Sequence, residues 1–325
     1  MKRILVTGAT GQIGSELVPA LRARYGPENV IAAGHKKHPA EELRTSGPYE
    51  VFDIRDGSAL ERIVRHHTVD TIFNLAAVLS AAAEENPQLA WDVNMNGLVC
   101  VLEVARQHGC GVFQPSSIGA FGPTTPHINT PQETIQRPNT LYGVAKVAGE
   151  LLCDYYYSRF GVDSRGVRYP GLISYRTQPG GGTTDYAVHI FYGALQQKRY
   201  TCFLGADTRL DMMYMPDAIR AAIEIMEADP ARLLFRNAFN ITAMSFTPTE
   251  ICKAITRYIP DFIMHYAVDP VRQAIADSWP DSMDDNAART QWGWRPEFDL
   301  NTMTADMLAK LDEKLTHYRR NEYGS

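Results

Sequence analysis

The sequence predicts an α/β protein built on a doubly wound parallel sheet, with a smaller α/β unit in its C-terminal part. Three observations lead to this prediction. Short β-type runs alternate with helix-like stretches in the first half, a glycine-rich turn separates the first strand from the first helix, and the composition changes after Gly171. Alternating strands and helices are typical of a parallel sheet that helices cover on both faces.

The composition supports a globular enzyme and excludes several other classes. The chain has 325 residues, of which 45% are hydrophobic and 21% are charged, and this length suits two domains with buried cores. Its net charge of −5 provides no positive field for nucleic acid or an anionic membrane. Neither a signal peptide nor an apolar run long enough to span a membrane is recognisable.

The five cysteines are scattered and form no Cys-x-x-Cys pair. This pattern argues against a disulfide framework and against a structural zinc site, so we expect no metal. A reducing, cytoplasmic location is therefore expected.

Individual elements of the first half follow from hydrophobic periodicity and capping signals. Asp56 is expected to cap a helix, and another helix should begin near Leu141, whereas Pro19 conflicts with the first helix. Strands are expected at 4–7, 30–33, 49–53, 71–75, 112–115 and 164–168, and long helices at 12–25 and 87–109.

Beyond Gly171 a glycine-rich loop at 178–184 precedes helices at 186–197 and 216–227. A strand is expected at 240–241, and Thr247 should cap a further helix. We therefore expect a dinucleotide-binding domain over 1–171 plus about 236–245, and a substrate-binding domain over 172–235 and 246–325.

Gly8, Gly11 and Gly14 lie between the first strand and the first helix. Such a turn lets the backbone approach a pyrophosphate, and the N–H groups of the helix start complete an anion site. The strand–turn–helix context makes this a specific signal for a Rossmann dinucleotide site.

The end of the second strand leaves the choice of dinucleotide open. An acidic residue usually binds the adenosine ribose there, but this chain has Gly34, His35, Lys36 and Lys37. The basic run favours the 2′-phosphate of NADP, or it is simply a solvated loop. Asp53 is expected to accept a hydrogen bond from the adenine amino group.

Tyr142 and Lys146 are four residues apart on a predicted helix, so they lie on one face and can share a ligand. A neighbouring ammonium favours the deprotonated form of a phenol, which then serves as a general base. Ser117 ends an upstream strand, where its hydroxyl can hold a substrate oxygen. We expect these three residues to be catalytic.

With these motifs the chain resembles the extended short-chain dehydrogenases/reductases that include the UDP-galactose 4-epimerases, and more narrowly the epimerase-like L-threonine 3-dehydrogenases. The resemblance covers essentially the whole chain. The segments that carry it are LSA at 79–81, PSSIGAFGP at 115–123, RYPGLIS at 168–174, PGGGTTDYA at 179–187, MMYMPD at 212–217 and DSWP at 277–280.

The resemblance implies that NAD oxidises L-threonine to 2-amino-3-oxobutyrate, with Tyr142 as the base. It also implies a homodimer and a glycine C-acetyltransferase as the downstream enzyme. The expected cofactor-binding residues are Gly8, Gly11, Gln12, Ile13, Gly14, His35, Asp53, Ile54, Leu75, Ala76, Ala77, Asn94, Tyr142, Lys146 and Tyr169. The expected substrate-binding residues are Ser80, Ser117, Tyr142, Gly182, Thr183, Thr184, Asp185 and Trp279.

Alternative interpretations stay open at this point. Asp185 is either the counter-charge of an ammonium group or a helix N-cap. Trp279 either closes over the site or is a partly buried surface residue. A nucleotide-sugar 4-epimerase or reductase of the same fold is the alternative enzyme, and a redox-sensing regulator without turnover is the alternative class.

Overall fold

The structure is a computed structural model that describes residues 1–35, 39–178 and 180–322, with side chains up to residue 317. Its strands are β1 (Ile4–Thr7), β2 (Val30–Gly34), β3 (Tyr49–Val51), β4 (Thr71–Asn74), β5 (Gly111–Phe113), β6 (Ser116–Ser117), β7 (Ser164–Arg165), β8 (Val167–Tyr169), β9 (Gly171–Ile173), β10 (Arg199–Cys202), β11 (Leu210–Tyr214), β12 (Phe239–Asn240), β13 (Met244–Phe246) and β14 (Ile263–Tyr266). Its helices are α1 (Gly14–Tyr25), α2 (Glu41–Thr45), α3 (Gly57–His67), α4 (Ser80–Glu85), α5 (Pro87–Trp91), α6 (Gly97–His108), α7 (Leu141–Phe160), α8 (Tyr186–Gln197), α9 (Met215–Glu227), α10 (Pro248–Thr256), α11 (Pro270–Ala276), α12 (Asn286–Gln291) and α13 (Leu300–Glu322).

Six parallel strands form the main sheet in the order β3-β2-β1-β4-β5-β7. The chain moves outwards from β1 to β3 and then returns to the other side of β1 with β4. This reversal opens a crevice beyond the carboxyl ends of β1 and β4, which is where ligands bind in such sheets. The predicted fold class is confirmed.

Successive residues of β1 pack into different cores, because side chains alternate across a strand. Ile4 and Val6 belong to one apolar cluster and Leu5 to another on the opposite face of the sheet. A third cluster combines apolar residues of α8, β11, α10 and α13. The C-terminal part thus contributes most of a third core, which Ile118 and Phe121 of the first half also join.

The smaller sheets connect the two halves of the chain. Parallel strands form the order β12-β8-β6, so 239–240 lies beside 167–169. The order β13-β11-β9 combines one antiparallel and one parallel pair, and β10 pairs with β14. The pairing of β12 with β8 is compatible with the predicted return of 236–245 to the first domain. The domain division itself stays a prediction.

Asp56 caps α3 as expected, since its carboxylate accepts a hydrogen bond from the N–H of Ala59 at 2.9 Å. Pro19 lies inside α1, which nevertheless continues to Tyr25. The single helix expected over 87–109 is instead α5, a π-helical turn at Asp92–Asn96, and α6.

The prediction of a single strand over 164–168 is wrong, because the segment is divided at Gly166 into β7 and β8. A Cβ at Gly166 would collide with the carbonyl oxygen of Gln114. β7 therefore joins the main sheet while β8 joins the sheet with β6 and β12.

Among the described residues, none of the helices combines the length and apolar character needed to cross a bilayer.

Asp211 on β11 is fully buried and anchors the segment that precedes α12. Its carboxylate accepts hydrogen bonds from the hydroxyl of Thr242 at 2.5 Å and from the N–H of Met283 at 2.8 Å. Burial, partly offset by these bonds, raises the pKa of Asp211 to about 8. The folded state thus retains a proton that the unfolded chain releases near pH 4.

Because ionisation of this carboxyl penalises the folded state, its contribution to stability should decline as the pH rises from about 4 to about 8. We expect the melting temperature of the wild-type protein to decrease more steeply between pH 5 and pH 8 than that of Asp211→Asn, which cannot ionise. Thermal unfolding followed by circular dichroism measures both profiles. Parallel profiles would contradict this assignment.

Candidate active site

The glycine turn after β1 brings three chain segments into close contact. Gly8 has a φ of 64°, and a Cβ there would lie 2.7 Å from the backbone of Leu75 and Ala76 beyond β4. A Cβ at Gly14 would collide with the carbonyl oxygen of Gly8. Glycine is therefore required for the turn to close against β4, and the N-terminus of α1 faces the crevice.

A cleft runs from this turn across the carboxyl ends of the strands. The side-chain amide Nε2 of Gln12 is buried and has no hydrogen-bond acceptor among the described residues. An oxygen-rich ligand such as a pyrophosphate would supply one, so this part of the cleft fits a dinucleotide. The residues that line the cleft are Gly8, Gly11, Gln12, Ile13, Gly14, Leu75, Ala77, Leu79, Ser80, Pro115, Ser116, Ser117, Ile118, Tyr142, Lys146, Tyr169, Pro170, Gly171, Leu172, Gly182, Thr183, Thr184, Asp185 and Trp279.

Tyr142 and Lys146 lie in the first turns of α7, on its cleft side. Thr140 caps this helix by accepting a hydrogen bond from the N–H of Gly143 at 3.1 Å. The ammonium Nζ of Lys146 donates to the carbonyl oxygen of Pro115 at 2.8 Å and lies 5.3 Å from the ring centroid of Tyr142. The Tyr142 ring and the Lys146 ammonium therefore lie next to each other at the cleft, as their spacing in the sequence predicts.

Ser117 reaches the same cleft from β6. Its hydroxyl oxygen accepts a hydrogen bond from the N–H of Gly119 at 3.1 Å, which leaves its own proton to donate. A Cβ at Gly119 would lie 3.3 Å from the Tyr142 ring, and one at Gly143 would collide with the carbonyl oxygen of Gly119. These two glycines let the serine-bearing turn pack directly against the helix that carries the tyrosine.

A buried ion pair lies next to the residues that line the cleft. Arg168 donates two hydrogen bonds to Glu150, at 2.9 and 2.8 Å, and both side chains are nearly inaccessible to solvent. Glu150 also accepts from the hydroxyl of Ser116 and from Gln136. The Glu150 carboxylate thus accepts four hydrogen bonds, two of them from the guanidinium of Arg168. Because Ser116 lies on β6 and Arg168 on β8, the network fixes α7 against both strands.

The glycine-rich loop lies on the opposite side of the cleft. Asp185 is buried, and its carboxylate accepts hydrogen bonds from the N–H groups of Gly181 and Gly182, at 2.8 and 2.5 Å. Although Asp185 stands at the N-cap of α8, its side chain makes no cap bond. The alternative that placed Asp185 at the helix N-cap is thus confirmed for its position, but its carboxylate closes the loop before the helix and caps no N–H of α8. Burial raises its pKa.

Ser80, Tyr169 and Trp279 complete the cleft at other points. Ser80 is the buried first residue of α4, and Trp279 is only 6% exposed, so the interpretation of Trp279 as a partly buried surface residue is wrong. The hydroxyl of Tyr169 donates to the carbonyl oxygen of Ala218 at 2.7 Å, which holds its ring at the cleft wall.

Several residues expected at the cofactor lie outside the cleft lining. Ile54 packs against Gly97 in an apolar core, and Ala76 and Asn94 border a small cavity that adjoins the cleft. The amide of Asn94 bonds to the N–H and carbonyl of Val78, at 2.8 and 3.0 Å, and so positions the chain after β4.

Two further expected residues lie near the end of β2. His35 is exposed. Hydrogen bonds from Arg55, at 2.9 and 2.5 Å, lower the pKa of Asp53 to about 2, so this carboxylate is already committed to a partner. Lys36 and Lys37 lie outside the described residues.

Some cleft residues were not expected from the sequence. Ser116, Ile118, Gly171 and Leu172 all line the cleft. Each of these four residues belongs to a sequence segment that carries the family resemblance, and this membership could have indicated their place at the site. Glu150 has no such signal, since its role depends on Arg168, eighteen residues away.

The match to a family model extends over residues 4–242, and the model describes the NAD dependent epimerase/dehydratase family. The chain belongs to this family. A relative named an uncharacterized epimerase/dehydratase, from Staphylococcus saprophyticus, is 52% identical over 314 residues, covering 97% of this chain and 98% of the relative.

Solved structures narrow the comparison. An L-threonine dehydrogenase from Clostridium difficile is 56% identical, with a TM-score of 0.95 over 97% of this chain and 98% of its own. The holo form of a GalE-like L-threonine dehydrogenase from Cupriavidus necator is 52% identical, with a TM-score of 0.92 over 95% of this chain and 99% of its own. This chain is thus similar to L-threonine dehydrogenases along nearly its whole length.

Proposed function

We propose that this protein is an NAD-dependent L-threonine 3-dehydrogenase, which oxidises L-threonine to 2-amino-3-oxobutyrate. The proposal depends on one observation. Tyr142, Lys146 and Ser117 line the same cleft as the glycine turn, and the loop at 182–185 lies opposite them. The similarity to L-threonine dehydrogenases supports the choice of substrate.

The dinucleotide would lie against the glycine turn, with Gln12 and the α1 N-terminus at its pyrophosphate and Lys146 at its nicotinamide ribose. When bound, NAD supplies the electrophilic nicotinamide that accepts a hydride from the substrate. Leu75 and Ala77 are small or apolar walls that let the dinucleotide lie close to the sheet edge.

Tyr142 is the proposed general base. It accepts the proton of the threonine β-hydroxyl while the bond from Cβ to hydrogen breaks, so that the carbon becomes a ketone. Lys146, held by the Pro115 carbonyl, supplies positive charge that favours the phenolate. Ser117 donates a hydrogen bond to the reacting oxygen, and one proton is released overall.

The opposite wall recognises the amino acid. Ser80, Thr183 and Thr184 offer hydroxyl groups to a small polar substrate, and Gly182 leaves room beside them. Asp185 has lone pairs beyond those used by Gly181 and Gly182, and its charge complements the substrate ammonium. Trp279 excludes water from this end of the cleft.

Tyr142→Phe tests the base. Removing the phenol oxygen should lower kcat by about 100-fold or more, the usual contribution of general base catalysis, while the NADH dissociation constant stays within about 3-fold. Threonine-dependent NADH formation at 340 nm measures the first quantity and NADH fluorescence the second. Undiminished turnover would contradict the mechanism.

The same assay tests the proposed function. Wild-type protein with NAD should respond to L-threonine and give no epimerisation of UDP-galactose. Epimerisation of the sugar nucleotide without threonine turnover would instead favour the alternative enzyme of this fold.

Asp185→Asn tests substrate recognition. The amide keeps the size of the side chain but loses its charge, so the KM for L-threonine should rise by about 10-fold or more, the range expected for a bond between charged groups. The KM for NAD should change by less than about 3-fold. Initial rates with each substrate varied in turn measure both. Equal increases in the two constants would assign Asp185 to loop structure alone.

A homodimer is proposed from exposed apolar side chains on neighbouring helices. Leu89 and Trp91 of α5, Val144 and Leu151 of α7, and Tyr155 are all more than 40% exposed, and α5 packs against α7. Such a patch is typical of an interface between subunits.

Leu151→Glu should dissociate this dimer, because it places charge where apolar surface would be buried. Sedimentation velocity would show the monomer, whereas the matched variant Val271→Glu, at an exposed apolar position elsewhere, should stay dimeric. A monomeric wild-type protein would contradict the proposal.

The remaining proposals concern the setting of the reaction. All five cysteines are free, which suits a reducing cytoplasm, as imaging of a tagged protein would test. The β-keto amino acid product is chemically suited to carbon–carbon cleavage, and a glycine C-acetyltransferase is the proposed downstream partner. Glycine formation that needs both enzymes would test this order.

A further inference from the structure

The helix that brings Ser80 to the cleft is too short to hold its own position. α4 comprises only six residues, and its N-cap residue Leu79 makes no side-chain cap bond. A helix of this length is not stable in water by itself, so its place depends on contacts with the rest of the protein. The buried side chain of Ala83 and the packing of α4 against α7 supply part of that contact.

Glu84 connects this short helix to the start of α7. Its carboxylate oxygen Oε1 accepts a hydrogen bond from the N–H of Leu141 at 2.7 Å. Leu141 is the first residue of α7, and the N–H groups in the first turn of a helix have no acceptor within the helix. Thr140 accepts from the N–H of Gly143, so Thr140 and Glu84 satisfy different donors of the same turn. The negative charge of Glu84 also suits a helix N-terminus.

Both ends of this connection lie next to residues of the cleft. Glu84 follows Ser80 by four positions, which places the two side chains on one face of α4. Leu141 directly precedes Tyr142, the proposed base. Ser80 and Tyr142 both line the cleft. The bond between Glu84 and Leu141 therefore links the helix that offers a hydroxyl to the substrate with the turn that carries the base.

α7 is the better fixed of the two helices. It has 20 residues, and the ion pair between Glu150 and Arg168 attaches it to β8. α4 has only six residues, so a single hydrogen bond to a charged group contributes much more to its position. Loss of the Glu84 carboxylate should therefore displace α4, and Ser80 with it, rather than α7.

We propose that Glu84 is a positioning residue for the dehydrogenase reaction. It holds Ser80 at the place from which the serine hydroxyl reaches threonine while Tyr142 removes the proton. This inference rests on the proposed function, which assigns the substrate contact to Ser80. It adds a residue outside the described cleft lining to those that determine how well the amino acid is used.

Two substitutions at Glu84 and a control at Glu85 test the inference on the whole chain. Glu84→Ala should lower kcat/KM for L-threonine by about 5- to 20-fold, the range expected for the loss of a helix cap, while the NADH dissociation constant stays within about 2-fold. Glu84→Gln keeps an oxygen acceptor, so its kcat/KM should stay within about 3-fold of wild type. Glu85→Ala, at the exposed neighbouring position, should change neither quantity.

A double-mutant cycle with Ser80→Ala distinguishes positioning from a general loss of structure. If Glu84 acts through Ser80, then Glu84→Ala should lower kcat/KM by less than about 2-fold once the serine hydroxyl is absent, because the two substitutions are coupled. An equal loss with and without the hydroxyl would overturn the proposal. Undiminished kcat/KM of Glu84→Ala in the presence of Ser80 would do so as well.

Hydrogen–deuterium exchange follows the same contact without any substrate. The amides of 80–86 should exchange about 5-fold or more faster in Glu84→Ala than in the wild-type protein, whereas those of 145–160 should keep their protection. Equal exchange at 80–86 in the two proteins would contradict the positioning role. Failure of the proposed function gives a different result, because the wild-type protein then forms no NADH from threonine while the change in exchange at 80–86 persists.

Discussion

The candidate site depends on the close approach of two backbone segments. The turn after β6 touches the first turn of α7, and glycine at 119 and 143 is what allows this contact. The hydroxyl of Ser117 and the phenol of Tyr142 come from segments about 25 residues apart, and this contact helps to place them in the same cleft. A side chain at Gly143 would collide with the Gly119 carbonyl oxygen and so separate the groups that are expected to handle the substrate oxygen.

The charges around the cleft are distributed so that few of them are uncommitted. Arg168 is bound to Glu150, and Asp53 to Arg55, so neither pair adds much net field. The ammonium of Lys146 donates to a neutral carbonyl group and lies 5.3 Å from the ring centroid of Tyr142. In the proposed mechanism, this ammonium is the charge that faces the ring of the general base.

Features set by local spacing were predictable from the sequence. The glycine turn, the cap at Asp56 and the shared face of Tyr142 and Lys146 all depend on residues within a few positions of one another. Features set by distant contacts were not. The division of the strand at Gly166 depends on the Gln114 carbonyl, and the role of Glu150 depends on Arg168. The hydrogen-bond donors to Asp185 are N–H groups of Gly181 and Gly182. They lie in a loop whose conformation cannot be predicted from hydrophobic periodicity.

The π-helical turn between α5 and α6 has a consequence for the geometry of the whole crevice. In a regular α-helix each residue advances the chain by about 100° around the helix axis. One additional residue would therefore rotate the side chains of the following turns away from the faces they occupy. The wide turn at Asp92–Asn96 absorbs such a surplus. It lets Asn94 clamp Val78 while the apolar face of α6 stays against the sheet. Shortening this stretch by one residue would force the chain to give up one of these two attachments.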